Sequence, residues 1–540
     1  MTTGDTGTEP DAEPDAEPDA EPVVDLTGEA GAQRPAVSAG RASFFRRQAG
    51  AGGGQSLAGD SRAGDRPDPV TRLRAAFRSG TWLVFDPGLP DDDRVLDADL
   101  VAKVLLAGAA GTSGVVPRLR VRGAVIRGRL DLSFATVASP VEFRECRWER
   151  IPDLTGAYLR SISLTECELP GLDGRLLSVE GDLRIRRCIV SGRLMLENCR
   201  VTGAVHLSGS RVSNPAGRAV AAGGMEIGAG LVARDGFRVR GTVRIIGARI
   251  AGGVQLQGAD LADPGGVALC ADELVTSSLR CSDGFRADGE LQVRNAEISG
   301  EMTVRRSHLH GPRVAIRARG LSAGELRLAP DTLLGLIDLS RARIGAVRDD
   351  IGGGLDVGMR LDGLTYDHLL VGGSPIPVAR GCAWLAREKD RYRPHPYEQL
   401  AAYYRRLGHD GDARRVLLMK QRRRRDSRPL PLRICGYLLD WIVGYGYRPW
   451  LAGAWMALLV LIGTVVFSTW PPVHVPEQPL RHLDPVVYAV DLLVPVSAFG
   501  LQESFEPVGG TRWVADALIV AGWLLATALV AGTSRVLGRN

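Results

Sequence analysis

"GDLRIRRCIVS" (181–191), "GRLMLENCRVT" (192–202) and "GAVHLSGSRVS" (203–213) follow one another without a gap and agree place by place. Counting the leading glycine as position zero, positions two, four and nine are apolar and position seven is small. The same unit recurs at 241, 252, 289, 300 and 335, and it reaches back to 117, 128, 139, 150 and 160. Position two holds Leu119, Leu130, Leu183, Val205, Val254 and Leu291; position four holds Val121, Leu132, Ile185, Leu207, Leu256 and Val293; position nine holds Ile126, Val137, Val201, Leu261 and Ile298. Position seven is Ala124, Ala135, Cys146, Ala157, Cys167, Cys188, Cys199, Ser210, Ala248, Ala259, Ala296, Ser307 and Ala342.

A period of eleven also suits a right-handed helical supercoil, so the faces must decide. At 100° per residue, positions two and nine fall on one side of a helix and four and seven on the other, which leaves no stripe to bury. In extended chain, two and four point the same way, and so do seven and nine once a bend lies between the pairs. Recurrent glycine at zero, read as a corner, and many β-branched residues agree with strand. Such a unit cannot bury its apolar face alone, so copies must stack into a solenoid, two units making a coil of about 22 residues with four short sides.

Closures such as "GADLA" (258–262) resemble pentapeptide-repeat proteins. That resemblance, over roughly 115–365, implies a right-handed parallel quadrilateral β-helix with small residues and leucines pointing inward. Here five- and six-residue sides alternate, so the coil should be slightly larger. A longer echo pairs "NPAGRAVAAGG" (214) with "DPGGVALCADE" (263), and "DGFRVRGTVRI" (235) with "DGFRADGELQV" (283), a period near 48. The combination resembles a group of actinobacterial two-span proteins often labelled membrane-associated oxidoreductases. It implies membrane attachment and, by the label, a redox activity.

The chain has 540 residues and a net charge of only +5, unevenly spread. Residues 1–68, with tandem "DAEP" and a glycine-rich stretch, are too polar to bury a core and read as a disordered tail; no apolar run marks a signal peptide. Residues 69–114 read as a helical cap carrying amphipathic segments at 68–80 and 93–109. Residues 366–430 read as a helical hairpin and basic linker. In that hairpin Leu400, Tyr404 and Leu407 line the first helix, Gly408 breaks it, Asp410 caps the second, and Ala413, Val416 and Leu417 line that second helix.

Residues 431–540 read as a membrane module. The stretch 449–470 is uncharged and about 33 Å long as a helix, with Trp450 and Trp470 at its ends; 513–534 is a second span carrying Asp516. Residues 432–447 read as an interfacial helix. Residues 483–507 are too short to cross and contain Asp491, as a re-entrant or surface-lying segment would, where that carboxylate could face a pore. Arginine outweighs acid before the first span and is scarce between the spans, which predicts cytoplasmic termini and a solenoid in a reducing compartment. Arg422, Arg423, Arg424 and Arg425 stand where anionic lipid headgroups would be met.

Chemistry-bearing motifs are sparse. "GAAGTSG" (108–114) ends a predicted helix rather than joining strand to helix, as a dinucleotide loop must. His308 and His310 flank an inward Leu309 and should point outward. Asp131, Glu142, Asp182, Glu197, Asp260 and Glu290, which a polysaccharide lyase would gather, are interleaved with Arg184, Arg193, Arg240, Arg244, Arg294 and Arg305, which also spoils DNA mimicry. Cys146, Cys167 and Cys188, 21 residues apart, occupy one inward corner and should stack as a packing ladder, with Cys199 on the opposite side. The expectation is a membrane-anchored cytoplasmic scaffold or interaction protein without catalysis, cofactor or metal. Its partners would be lipids, an unidentified cytoplasmic protein and a second copy of the chain, but no nucleic acid. The alternatives are a two-span channel-like sensor and the oxidoreductase of the family label.

Overall fold

The computed structural model describes residues 68–108, 115–351, 357–388, 392–426, 449–475, 482–494 and 500–537. The expected acidic tail before residue 68, most of the glycine-rich stretch at 108–114 and the expected interfacial helix at 432–447 lie outside these residues. Most of what is described is a parallel β-solenoid of about eleven coils.

One column of inward residues measures it. Leu119 pairs in parallel with Val141, and the register continues through Ile162, Leu183, Val205, Leu231, Val254, Leu279, Met302, Leu326, Val347 and Leu369. All twelve are buried. Each such Leu, Ile or Val withdrawn from water contributes about 2 kcal/mol, and stacking like on like lets one coil's apolar face complete its neighbour's. A single coil shows its four sides as Leu183–Arg186, Ile189–Val190, Leu194–Met195 and Arg200–Val201, after which Val205–His206 begins the next. Backbone N–H and C=O groups of these sides are spent along the axis on the coils before and after.

The corners differ from expectation in one respect. A left-handed residue recurs at position six, just before the small inward residue, whereas the glycine at zero has positive φ on only some coils, at 128, 241, 289 and 335. The residue at position six is glycine at 123, 156, 209 and 258, but Glu145, Glu166, Arg187, Asn198, Asn295 and Arg341 also adopt φ of 51–58° there. Where its φ is ordinary, the glycine at zero serves close approach: a Cβ on Gly203 would stand 2.7 Å from the Gly181 carbonyl oxygen of the previous coil.

Both ends are covered. At the start, α1 (Pro69–Ser79), closed by left-handed Gly80, and α2 (Ala98–Ala107), whose Asp97 accepts from the Asp99 N–H, bury Leu73, Phe77, Val101 and Leu105 on the first coil. Two short strands between and beside them, Leu83–Val84 and Val95–Asp97, join the parallel ladders, so the solenoid begins earlier than residue 115. At the far end Thr365–Val371 turns back on Ser374–Pro375, the one antiparallel pairing of the described solenoid, which stops further stacking. Helices α3 (Val378–Ala386), α4 (His395–Arg406) and α5 (Asp410–Asp426) follow. Tyr403 and Tyr404 donate to the carbonyls of Leu369 and Ile376 at 3.0 and 2.9 Å, pinning α4 to the last coil. The hairpin's break is at Gly408 (φ 77°) as its sequence suggests. Leu407 is exposed, however, and Tyr397 and Tyr403 take its expected place inside. With the ends capped, the flanks are the solenoid's free surface.

Helices α6 (Pro449–Thr469), α7 (Pro485–Leu493), α8 (Leu501–Ser504) and α9 (Thr511–Leu537) make a separate small core of Phe467, Tyr488, Leu492, Leu493, Leu501, Phe505, Ala515 and Leu518.

Candidate functional site: a flank groove and a helical module

The exterior charges resolve first. Most bridge successive coils: Arg122 with Glu145, Arg187 with Glu166, Arg240 with Asp260, Arg280 with Glu301, Arg294 with Asp272, Arg305 and Arg306 with Asp283, Arg317 with Glu290, and Arg348 with Glu325. Others close within a coil, as Arg184 does with Asp182. The six acids named from sequence are thereby separated and matched: Glu142 meets Arg120 and Arg144, Glu197 meets Arg218, and Asp131 accepts from Ser133. Arg193 and Arg244 have no ion pair among the described residues. These side chains are staples that hold coil to coil.

Hydrogen bonds from Ser133 and Ser282 hold the carboxyls of Asp131 and Asp283 below the usual carboxylate range, Arg306 adding to the second. Their unfolded forms therefore bind protons at higher pH than the folded ones. The stability they contribute is complete above about pH 4 and is lost as pH falls through the depressed folded values. Thermal unfolding should thus be flat from pH 7 to 5 and decline below 4, the opposite of a fold limited by histidine protonation.

The cysteines form the expected column. Cys146, Cys167 and Cys188 are free and buried, and each thiol donates to carbonyls two residues back and one coil back, Cys167 to Thr165 at 3.4 Å and Phe143 at 3.5 Å. Ser210 continues the column, its hydroxyl donating to Ile185 at 2.8 Å. Beyond it the column runs Phe237, Ala259, Phe285 and Ser307, so that large and small residues alternate at this inward place. Cys199 lies on the other side, in the column of Ala157 and Ala248. Burial pushes the Cys199 and Cys281 thiols up to about 12. Burial raises the half-buried Cys270 and Cys382 thiols as well, so iodoacetamide at pH 8 should modify these two slowly, while Cys146, Cys167, Cys188, Cys199 and Cys281 stay unmodified in mass spectra until denaturant is added. His308 donates to or accepts from Thr332 at 3.0 Å, and His310 is exposed; among the described residues no cluster of metal-ligating side chains forms.

The described residues also form a concavity that the repeat pattern did not announce. An open groove of about 1080 Å³ runs along one flank across six coils. Its rim is the outward residue at position eight, Arg200, Glu226, Arg249, Val275, Glu297 and Ser322 in turn, and its floor the residue at position ten, Thr202, Gly228, Ala251, Ser277, Ser299 and Gly324. Floor residues are small because the wall bends inward there: a Cβ on Gly228 or Gly324 would crowd Thr202 or Ser299 of the previous coil. Arg200 and Glu226 pair at 3.0 Å, whereas Arg249 and Glu297 have no ion pair among the described residues. The small residue that follows position nine on every one of these coils was the available signal. It was hidden because coils here lengthen from 22 residues to as many as 26, between Val205 and Leu231, and break the eleven-residue frame.

In the helical module, helices stand at both stretches expected to be spans, but among the described residues no helix is long and apolar enough to cross a membrane. The outer surface is nonetheless apolar. Leu458, Leu461, Ile462 and Val465 of α6 and Trp513, Val520, Trp523 and Leu524 of α9 are exposed, as is Trp470 just after α6. The segment 483–507 folds back, since Phe505–Glu506 pairs with Val473–His474 directly after α6. Asp491 does not line an opening. It is fully buried, and its Oδ2 accepts from the N–H groups of Leu501 and Gln502 at 2.9 Å each, joining α7 to α8. Asp491→Ala should cost the module about 2 kcal/mol and Asp491→Asn only a few tenths, read as protease sensitivity of 482–507. Equal loss in both variants would refute a capping role. Arg422, Arg423, Arg424 and Arg425 end α5, with Arg425 beside Asp426 and Arg424 exposed.

Against known proteins, no family model, no curated sequence and no solved structure matches the chain.

Proposed function

We propose that the protein is a membrane-attached scaffold whose β-solenoid offers a flank groove to a partner, with no turnover of its own. The observation that carries this reading is the groove itself, about 1080 Å³ of open concavity built by six successive coils between two capped ends. Attachment is assigned to the C-terminal helices. Their exposed leucines, valines and tryptophans make an apolar surface of the kind that soluble proteins keep small, and α6, 21 residues without a charge, is about 32 Å long. In this reading the α6–α9 unit enters the bilayer as one body, both termini face the cytoplasm, and Arg422 to Arg425 at the end of α5 meet anionic headgroups.

Sodium carbonate extraction of cell membranes should leave the full chain in the pellet, and release at pH 11 would refute integral attachment. A photo-crosslinking residue at Ser299, in the groove floor, should capture a protein partner that the same residue at Ser191, on another side, does not. The channel-like alternative predicts ion leakage through reconstituted vesicles that is lost on neutralising Asp491, whose carboxylate accepts from the α8 backbone. The redox reading predicts a flavin or haem absorbance in the purified chain, and finding one would displace the scaffold.

A further inference from the structure

We infer that the groove receives a second copy of this chain, through lobes on the opposite corner of the solenoid, so that copies stand side by side in open rows. This rests on the scaffold reading above and names its partner. The lobes are what the 48-residue echo encodes. On alternate coils the second and third sides are joined by extra residues outside the ladder, at 214–217, 263–266 and 311–313, each set standing opposite a single glycine of the next coil, Gly241, Gly289 or Gly335. Those glycines have φ of 111°, 131° and 107°, and the alternation makes a two-coil repeat. Every lobe carries an exposed proline, Pro215, Pro264 or Pro312, whose ring fixes the backbone of the projection.

Lobes and groove match in position, level and charge. The groove lies on the fourth side of the coil, next to the corner where the following coil begins, and the lobes lie at the corner between the second and third sides, diagonally across. A neighbour displaced along that diagonal without rotation therefore sets projections against a hollow, whereas a twofold pairing of grooves would oppose two hollows. The coils with rim residues Arg200, Arg249 and Glu297 are the ones that bear the lobes at 214, 263 and 311, so the displacement needs an axial shift of at most half a coil, about 2.4 Å. In the scaffold reading, copies held in one membrane already share orientation and height. Arg249 and Glu297 are exposed and have no ion pair among the described residues, and the same holds for exposed Arg313 and half-buried Asp263. At matched levels Asp263 faces Arg249 and Arg313 faces Glu297. The third level is balanced on both faces, since Arg200 is already met by Glu226 at 3.0 Å and the lobe at 214–217 carries no charge. Small floor residues on all six coils leave room for the proline tips. Because the contact uses a different patch on each copy, it does not close, and rows extend from it.

The test is crosslinking of the full-length chain in expressing cells with a short, membrane-permeant bismaleimide. Ala251 and Pro264 are exposed on opposite corners of one coil with the core between them, so a bridge between cysteines placed there joins two chains. Ala251→Cys/Pro264→Cys should give a ladder of dimer, trimer and higher species above the background of the unsubstituted chain, while coexpressed chains with one substitution each should stop at dimers. In the double-cysteine chain, Glu297→Arg or Arg313→Glu alone should lower the crosslinked fraction about fivefold, and the two together should restore it, which a folding defect would not do. A double-cysteine chain that stops at dimers, or a reversed charge pair that fails to restore the ladder, would overturn the inference. The photo-crosslinker at Ser299 separates this from the scaffold reading. Capture of the chain's own 311–313 segment supports both. If there is no ladder and Ser299 captures a different protein, the inference falls and the scaffold stands; if there is no ladder and no capture, both fall.

Discussion

Gly289→Val is expected to lower the stability of the solenoid by about 4 kcal/mol, seen as an early urea transition of the β signal and protease cutting near 263–292. Gly289 has φ of 131°, a region closed to residues with a Cβ, which costs roughly 1–3 kcal/mol. Its added Cβ would also stand 2.7 Å from the Asp263 carbonyl oxygen and 2.9 Å from the Ala268 N–H. Both are backbone atoms of the neighbouring lobe, so no side chain can rotate away, and overpacking costs roughly 1–3 kcal/mol more. Gly247→Ala is the contrast. It shares a positive φ of 63° but meets nothing within 4 Å, so only the left-handed penalty of about 1 kcal/mol applies. If the two variants unfold together, the fit of lobe against glycine is not what maintains the two-coil repeat.

That pairing shows why some of the structure was legible in the sequence and some was not. The inward column from Leu119 to Leu369 was legible because burial acts on side-chain type, and every coil must present an apolar residue there. The thiol column was legible for the same reason, as alanine and serine alternate with cysteine in equal space. The 48-residue echo was visible as letters, yet its cause was not, because Gly289 sits against Asp263 only once the coils are stacked. Left-handed corners at Glu145 or Arg187 were marked only indirectly, by the glycine or asparagine that holds the same repeat position on other coils. The groove was missed for a related reason. Its floor is defined by what glycine and serine leave empty, and emptiness has no hydropathy period.

The C-terminal helices show the converse. Sequence located α6 and α9 by their apolar length, and it located Asp491 as an oddity in an apolar segment. It could not say what the carboxylate faces, because Leu501 and Gln502 approach it only after the chain folds back on itself. A charge inside an apolar stretch reads alike whether it lines a pore or caps a buried turn. Only the donors around it distinguish the two.

The second large effect concerns the staples. Arg294→Ala should cost about 2–3 kcal/mol, less than a fully buried pair because Arg294 itself is half exposed, although Arg294 looks like one more surface arginine. Its partner Asp272 is only 6% exposed, and takes Arg294 Nε at 2.9 Å and the Arg294 backbone N–H at 2.8 Å. Truncating the guanidinium leaves a largely buried carboxylate with only the Arg294 backbone N–H and the weak Cys270 thiol as donors. The double variant Asp272→Asn/Arg294→Ala removes the stranded charge and should recover more than half of the loss, a coupling that a simple loss of packing would not produce. Arg200→Ala is the calibration. It breaks an inter-coil pair of similar geometry, with Glu226 at 3.0 Å, but both side chains are more than half exposed, so the cost should stay under about 1 kcal/mol. The sequence shows the same arginine in both places, and what separates a structural staple from a dispensable one is how deep the coil buries the acid. If Arg294→Ala and Arg200→Ala prove equal, charge pairing along this solenoid is uniform surface electrostatics and burial of Asp272 contributes nothing to it.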